Sequence, residues 1–319
     1  MDHTSVGSFF RINHTDQTVF AWGFLCENFF ISLSGFCSGR KGESMSSKNV
    51  SMTQRLVLSA MLIAIAAVLS LIKVVDLPYG GSVTPGSMLP LVIIAYRFGT
   101  PWGLLCGFVY GIIQLLLGMD NFSYVSGAAS VIALALLDYL LAFTGLGLSG
   151  LFRRKDSSNQ PGAFISGILV VSLIRYLCHV ISGATVWAGL SIPTADALRY
   201  SVIYNATYML PEMLVLLIIG YYLSTTFDFG AAQLKLAAKD ESLSAGRPMA
   251  IAAGLLLAGA GVFDVAAIFG QLQNAETGEF DITGISHAPW LWIAIVSAIA
   301  LIVAVALLVM RKKIMTKKP

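Results

Sequence analysis

The chain has 319 residues, 56% of them hydrophobic and only 12% charged, with a mean hydropathy of +0.78. A soluble globular protein carries about twice that charged fraction, so composition excludes one and implies an all-α, polytopic membrane helix bundle. The net charge of +3 forms no basic stripe, which excludes a nucleic-acid module. Cys26, Cys37, Cys106 and Cys178 show no CxxC spacing, so neither a zinc site, nor a disulfide framework, nor any cofactor is expected.

Residues 1–51 stand outside the membrane pattern. The stretch VFAWGFLCENFFISLSGF is aromatic, short and interrupted by Glu27 and Asn28, and it lacks the parts of a signal peptide. It reads as a disordered leader or an over-long start, with Met45 or Met52 as the natural beginning. Runs of ~20 apolar residues then give eight expected spans: 55–74, 87–99, 101–118, 128–150, 163–189, 200–224, 248–270 and 289–310. The second is short and shares a tight FGTP turn with the third. A polar linker over 225–247 separates a core, 52–224, from a plainer Ala/Leu/Ile/Val pair with a basic tail, 248–319, whose one oddity is Asp264 in mid-span.

Basic residues flank alternate loops. Arg40, Lys41, Lys48 and Arg55 precede the first span, and Arg97 lies between the second and third. Arg153, Arg154 and Lys155 follow the fourth; Lys235, Lys239 and Arg247 follow the sixth; five more close the chain. The intervening loops are nearly devoid of them, so both termini are expected in the cytoplasm.

That orientation places the polar residues of the core. The fifth span, AFISGILVVSLIRYLCHVISGATVWAG, carries Arg175 and His179 one turn apart and Trp187 only about 80° further round. Ionisable groups at membrane depth are costly and normally face a bundle interior or a water-filled cavity. Asp138, about ten residues into the fourth span, and His179, as far from the outer end of the fifth, both lie ~15 Å below the outer surface. Tyr139, Trp187, Tyr200, Tyr204 and Asn205 fall in the same outer half. A carboxylate in low dielectric needs a cationic or hydrogen-bonding partner, aromatic faces attract cations, and His and Asn read donor and acceptor edges. The implied ligand is small, aromatic and positively charged. Packing alone, with His179 hydrogen-bonded to a neighbouring helix, stays open as an alternative, whereas the aromatic belt at the membrane interface would account for Trp187 or Tyr200 alone but not for Asp138 or His179.

Helix packing has its own marks. Gly103, Gly107 and Gly111 recur at four-residue spacing in the third span, and Ala60 and Ala64 do so in the first. The loop LPYGGSVTPGSMLP before the second span suits a capping or reentrant segment over an outward-facing pocket.

The runs PYGGSVTPGSMLPLVIIAYRFGTPWGLLCGFVYGIIQLLLG, LLDY, RYLCHVISGATVWAG and YSVIYNATYMLPE, in that order, resemble the thiamine-specific S components (ThiT type) of energy-coupling factor transporters. The likeness spans residues 52–224, the six helices of that fold, and leaves the two C-terminal helices outside it. It implies a substrate-binding subunit of the bacterial plasma membrane that takes thiamine from outside. ATP hydrolysis would fall to two ATPase partners, joined through a transmembrane coupling subunit. Nothing in this chain has the GxxxxGK[ST] phosphate loop.

By the same resemblance Trp187 stacks on a thiamine ring, Asp138 sits opposite cationic or amino groups, His179 and Asn205 provide hydrogen bonds, and Tyr139 and Tyr200 match further pocket positions. Ala60 and Ala64 resemble the surface that docks on the coupling subunit. This chain has Asp138 where the family pattern has a longer Glu. It has Gly80–Gly81 where some relatives have an aromatic, leaving Tyr79 or Tyr124 for that contact. Other readings stay open: an S component for the hydroxymethylpyrimidine precursor, or a proton-coupled secondary transporter using Asp138, Glu212 or Asp264. A membrane enzyme built on His179 and Asp138 has no nucleophile or metal constellation to support it.

Overall fold

In a computed structural model, residues 50–77, 80–153, 161–186, 194–229, 235–236, 241–272 and 282–317 are described here. The expectations for the leader, Tyr79 and Trp187 fall outside them. The described residues form a predominantly helical bundle in which seven helices are long and apolar enough to cross a membrane.

Helix α1, Met52–Leu71, starts at a capping box: Ser51 Oγ accepts from Gln54 N at 3.2 Å and Gln54 Oε1 accepts from Ser51 N at 3.3 Å. Two-residue strands β1, Val75–Asp76, and β2, Ser82–Val83, then form an antiparallel hairpin. Helix α2, Leu89–Phe98, differs from the expected second span. Its ten residues reach only about 15 Å, half a hydrocarbon core, and all ten are buried. LPLVIIAYRF has no polar face, so α2 is wrapped on all sides by protein instead of facing lipid. Arg55 packs over both the Phe98 and Trp102 rings, so the segment through α2 brings the chain back to the end of the bundle where α1 began.

Helix α3, Thr100–Leu117, follows after Gly99, whose φ of +92° makes the turn that a side chain would strain. Helix α4, Ala128–Phe152, changes pitch along its length. Ala135–Leu141 is π-helical and Gly145–Phe152 is 3₁₀. The glycine stripe explains how α3 and α4 fit. A Cβ on Gly107 would sit 2.6 Å from the Phe143 carbonyl oxygen, and one on Gly111 would sit 3.0 Å from that of Tyr139. The helices touch backbone to backbone, which fixes the height of the π segment.

Helix α5, Pro161–Thr185, and α6, Ala195–Thr226, complete the core. Thr194 caps α6 by accepting from Ala197 N, and Pro211 lies inside it. The core packs Tyr96 edge-on to Phe164 and Tyr110 edge-on to Phe143. It continues through Phe229, which is 1% exposed and lies against Phe164. Helices α7, Glu241–Leu272, and α8, Trp290–Lys317, lie outside this core. Gly254 and Gly261 of α7 meet Ile218 and Leu214 of α6, while Ser297 of α8 donates to Asp264 of α7. Arg311 donates to the Tyr221 hydroxyl at 3.0 Å and lies over its ring.

Candidate functional site

At the end of the bundle away from the Arg55–Trp102 contact, α1, the hairpin, α3, α4, α5 and α6 enclose a cavity of about 610 Å³. That volume suits a ligand of drug or vitamin size. Asp138 and Tyr139 enter it from the π segment of α4. Inserting an extra residue per turn re-aims side chains, and such segments are frequent at functional sites. Facing them, α5 presents His179 and Arg175, and α6 presents Tyr200, Ser201, Tyr204, Asn205 and Tyr208.

The polar centre is the Asp138–His179 pair, with His179 Nδ1 3.0 Å from Asp138 Oδ1. Asp138 is only 8% exposed, and His179 Nε2 is buried without a hydrogen-bond partner among the described residues. A buried imidazole nitrogen without a partner is costly to leave unmet, so His179, which lines the cavity, is a candidate for contact with a ligand atom. Tyr200 and Tyr204 stack in parallel at 5.9 Å, Tyr204 and Tyr208 meet at 5.8 Å, and the Tyr208 ring stands 6.5 Å from that of His179. These rings give one wall of the cavity a series of π faces.

Asn205 is more heavily engaged than a free reading group. Its Nδ2 donates to Ser201 O at 2.9 Å, Ser201 Oγ at 3.2 Å and His179 O at 3.3 Å, while Oδ1 accepts from Tyr208 at 2.6 Å. It therefore ties α6 to the turn of α5 that carries His179. Tyr139 is held in the same way: its hydroxyl donates to Gly118 O at 3.1 Å and accepts from Asn121 Nδ2 at 2.8 Å. A Cβ on Gly118 would fall 2.3 Å from the Tyr139 oxygen and 2.8 Å from its ring, so a larger residue there would displace the Tyr139 side chain.

The hairpin closes the cavity from above. Gly80, Gly81 and Ser82 line it, and Gly81 N donates to the Tyr204 hydroxyl at 3.1 Å. Leu77 and Val83 pack into a small apolar cluster with Tyr204, Tyr208 and Met209. Below, Arg175 reaches the floor and makes a buried ion pair with Glu212, Nη1 to Oε2 at 2.7 Å.

Seven expected site residues thus line one cavity: Asp138, Tyr139, His179, Tyr200, Tyr204, Asn205 and, at its exposed rim, Tyr124. Ala60 and Ala64 sit elsewhere, on the exposed face of α1. Tyr208, Ser201, Gln114 and Asn121 also line the cavity without having been singled out. Tyr208 follows Tyr204 by one helical turn, and Gln114 interrupts an apolar span, so both were detectable by periodicity.

The family model described as thiamine transporter protein (Thia_YuaJ) matches residues 56–229. Among curated proteins, the thiamine transporter ThiT of Bacillus subtilis is 33% identical over 175 residues, covering 52% of this chain and 87% of that protein. The thiamine transporter ThiT of Lacticaseibacillus paracasei is 26% identical over 183 residues, covering 54% and 83%. A solved structure of ThiT from Listeria monocytogenes shares 26% identity, covers 54% of this chain and 93% of that one, and superposes with a TM-score of 0.44.

Proposed function

Because the chain belongs to the thiamine transporter protein family, we propose that it is the substrate-binding subunit of a thiamine importer of the energy-coupling factor class. The family is one of transporters, not enzymes. The observation that carries the reading is the Asp138–His179 pair inside a tyrosine-walled cavity. Asp138 supplies a buried negative charge for a cationic thiazolium, and the Tyr200 and Tyr204 faces accept an aromatic ring. His179 Nε2 offers a hydrogen bond to a pyrimidine edge. Trp187 and Tyr79 join this pocket in the proposal by resemblance, with Asn205 and Tyr139 holding its walls.

The basic residues support the sidedness. Arg55 and Arg97 both lie over the Phe98 ring, and Arg153 Nη1 is 3.8 Å from where a Gly99 Cβ would be. All three gather at the end of the bundle opposite the cavity, which by the positive-inside rule is cytoplasmic, so the cavity opens outward. Capture from outside is then followed by ATP-driven release inside, powered by two ATPase subunits through a membrane coupling subunit that docks on the Ala60/Ala64 face. Proton coupling is less well served. Of its three candidate carboxylates, Glu212 is held by Arg175 and Asp264 by Ser297.

Intrinsic tryptophan fluorescence of the purified protein, titrated with thiamine and then with its pyrimidine and thiazole fragments, tests the ligand. Saturable quenching by thiamine, weaker with either fragment, is expected. Binding of the pyrimidine with thiamine excluded would move the assignment to a precursor.

A further inference from the structure

Beneath the cavity lies a polar network that the ligand reading does not use. Glu212 of α6 is 2% exposed and engages two different parts of the bundle. Its Oε2 pairs with Arg175 of α5, and its Oε1 accepts from the Thr84 hydroxyl, just beyond β2. Thr84 in turn shares a hydrogen bond of 2.8 Å with Ser87. Arg175 lies over the Phe143 ring of α4 at 5.1 Å, and its Nη1 is 3.3 Å from the sulfur of Met88. Thr84, Ser87, Arg175 and Glu212 are all buried. A desolvated ion pair of this kind is weak evidence for stability, because its dehydration cost offsets its attraction. Its geometric effect is clearer: it joins α4, α5 and α6 to one point on the loop.

That point is the base of the hairpin. Among the described residues, the loop between α1 and α2 is tied to α6 at Tyr204 through Gly81 N and at Glu212 through Thr84. The two residues are about 12 Å apart along α6, so the ties hold the hairpin at its tip and at its root. Gly80 and Gly86, at φ of +89° and +88°, lie near the two ties, where other residues would be strained. We infer that Thr84, Glu212 and Arg175 are positioning residues for ligand retention: the ion pair on the cavity floor holds the Glu212 carboxylate where Thr84 needs it, and so fixes the hairpin over the bound ligand.

This rests on the cavity being the ligand site, so the test has one arm with ligand and one without. Thr84→Val keeps size and removes only the hydroxyl, leaving the Arg175–Glu212 pair intact, and Thr84→Ser restores the hydroxyl. In the intact, unliganded protein, hydrogen exchange at the hairpin amides of Val74 and Leu77, which donate to Val83 O and Gly81 O, is expected to accelerate about 10-fold in Thr84→Val and return in Thr84→Ser. With thiamine, stopped-flow measurement is expected to show the dissociation rate rising by a similar factor, with association changed less than twofold, while the buried Glu212 oxygen left without its donor lowers the melting temperature by a few degrees. Unchanged hairpin exchange in Thr84→Val overturns the anchoring. Faster exchange with an unchanged dissociation rate overturns the retention role. A fall in melting temperature with normal kinetics in the surviving protein assigns Thr84 to stability alone. Failure of the unmodified protein to bind thiamine refutes the ligand reading and the retention role with it, while the exchange arm still decides the anchor.

Discussion

Replacing Gly107 by alanine adds one methyl at the closest approach of α3 and α4. That carbon would lie 2.6 Å from the Phe143 carbonyl oxygen and 3.0 Å from Thr144 Cα, whereas ordinary contact begins at 3.4 Å. Both neighbours are backbone, so no side-chain rotation relieves the overlap, and the helices must part by about 0.8 Å in a tightly packed interior. Overpacking of this kind costs roughly 1–3 kcal/mol. The displaced turn of α4 directly follows Asp138 and Tyr139, so the cavity wall moves with it. Thermal unfolding in detergent should show Gly107→Ala melting several degrees lower, and thiamine affinity should fall about 5- to 10-fold. Gly259→Ala in α7, where a Cβ meets nothing within 4 Å, supplies the control. It should hold or raise the melting temperature, since alanine is favoured in a helix by roughly 0.5–1 kcal/mol. If Gly107→Ala melts and binds like Gly259→Ala, the backbone contact between α3 and α4 is not as described.

Asp138→Asn removes the buried charge but keeps the shape; losing a charge-assisted contact of ~1.5–3 kcal/mol should weaken thiamine binding 10- to 100-fold by calorimetry and spare the uncharged pyrimidine fragment. Equal losses for both would show that the carboxylate does not meet the cation. Glu212→Gln strands Arg175 in the bundle and should cost about 3–5 kcal/mol in thermal or denaturant unfolding, whereas Arg175→Met combined with Glu212→Leu should recover most of it. A double variant as unstable as the single one would contradict the ion-pair account. Ser297→Ala removes the α8 donor to Asp264 and should leave thiamine affinity within twofold, because among the described residues none of α7 or α8 lines the cavity. A larger loss would tie the C-terminal pair to binding.

Hydropathy located every core helix, since a run of apolar residues must bury or meet lipid whichever fold it joins. It could not distinguish the two cases for α2, whose LPLVIIAYRF is as apolar as a span and is enclosed by protein instead. Depth counting brought Asp138 and His179 to one level because rise per residue is nearly constant between helices. Their 3.0 Å approach also depends on the π pitch of Ala135–Leu141, for which ALLDYLL carries no visible signal. The glycine stripe in α3 was legible as a close-packing face, but its partner in α4 was not, since small residues do not name the helix they meet. Asn205 was legible as polar and inward, yet its hydrogen bonds are set by Tyr208 and Ser201, three and four residues away, and by the His179 backbone carbonyl on another helix. The Arg175–Glu212 pair was within reach: two opposite charges in separate spans of one bundle are each costly alone.

Isothermal titration of thiamine into the purified full chain, beside Asp138→Asn and His179→Ala shown to melt like the parent, tests most directly that this cavity is the thiamine site. The account predicts one saturable site in the parent, lost or weakened at least 10-fold in both variants. Undiminished binding in both folded variants would place thiamine elsewhere and contradict it.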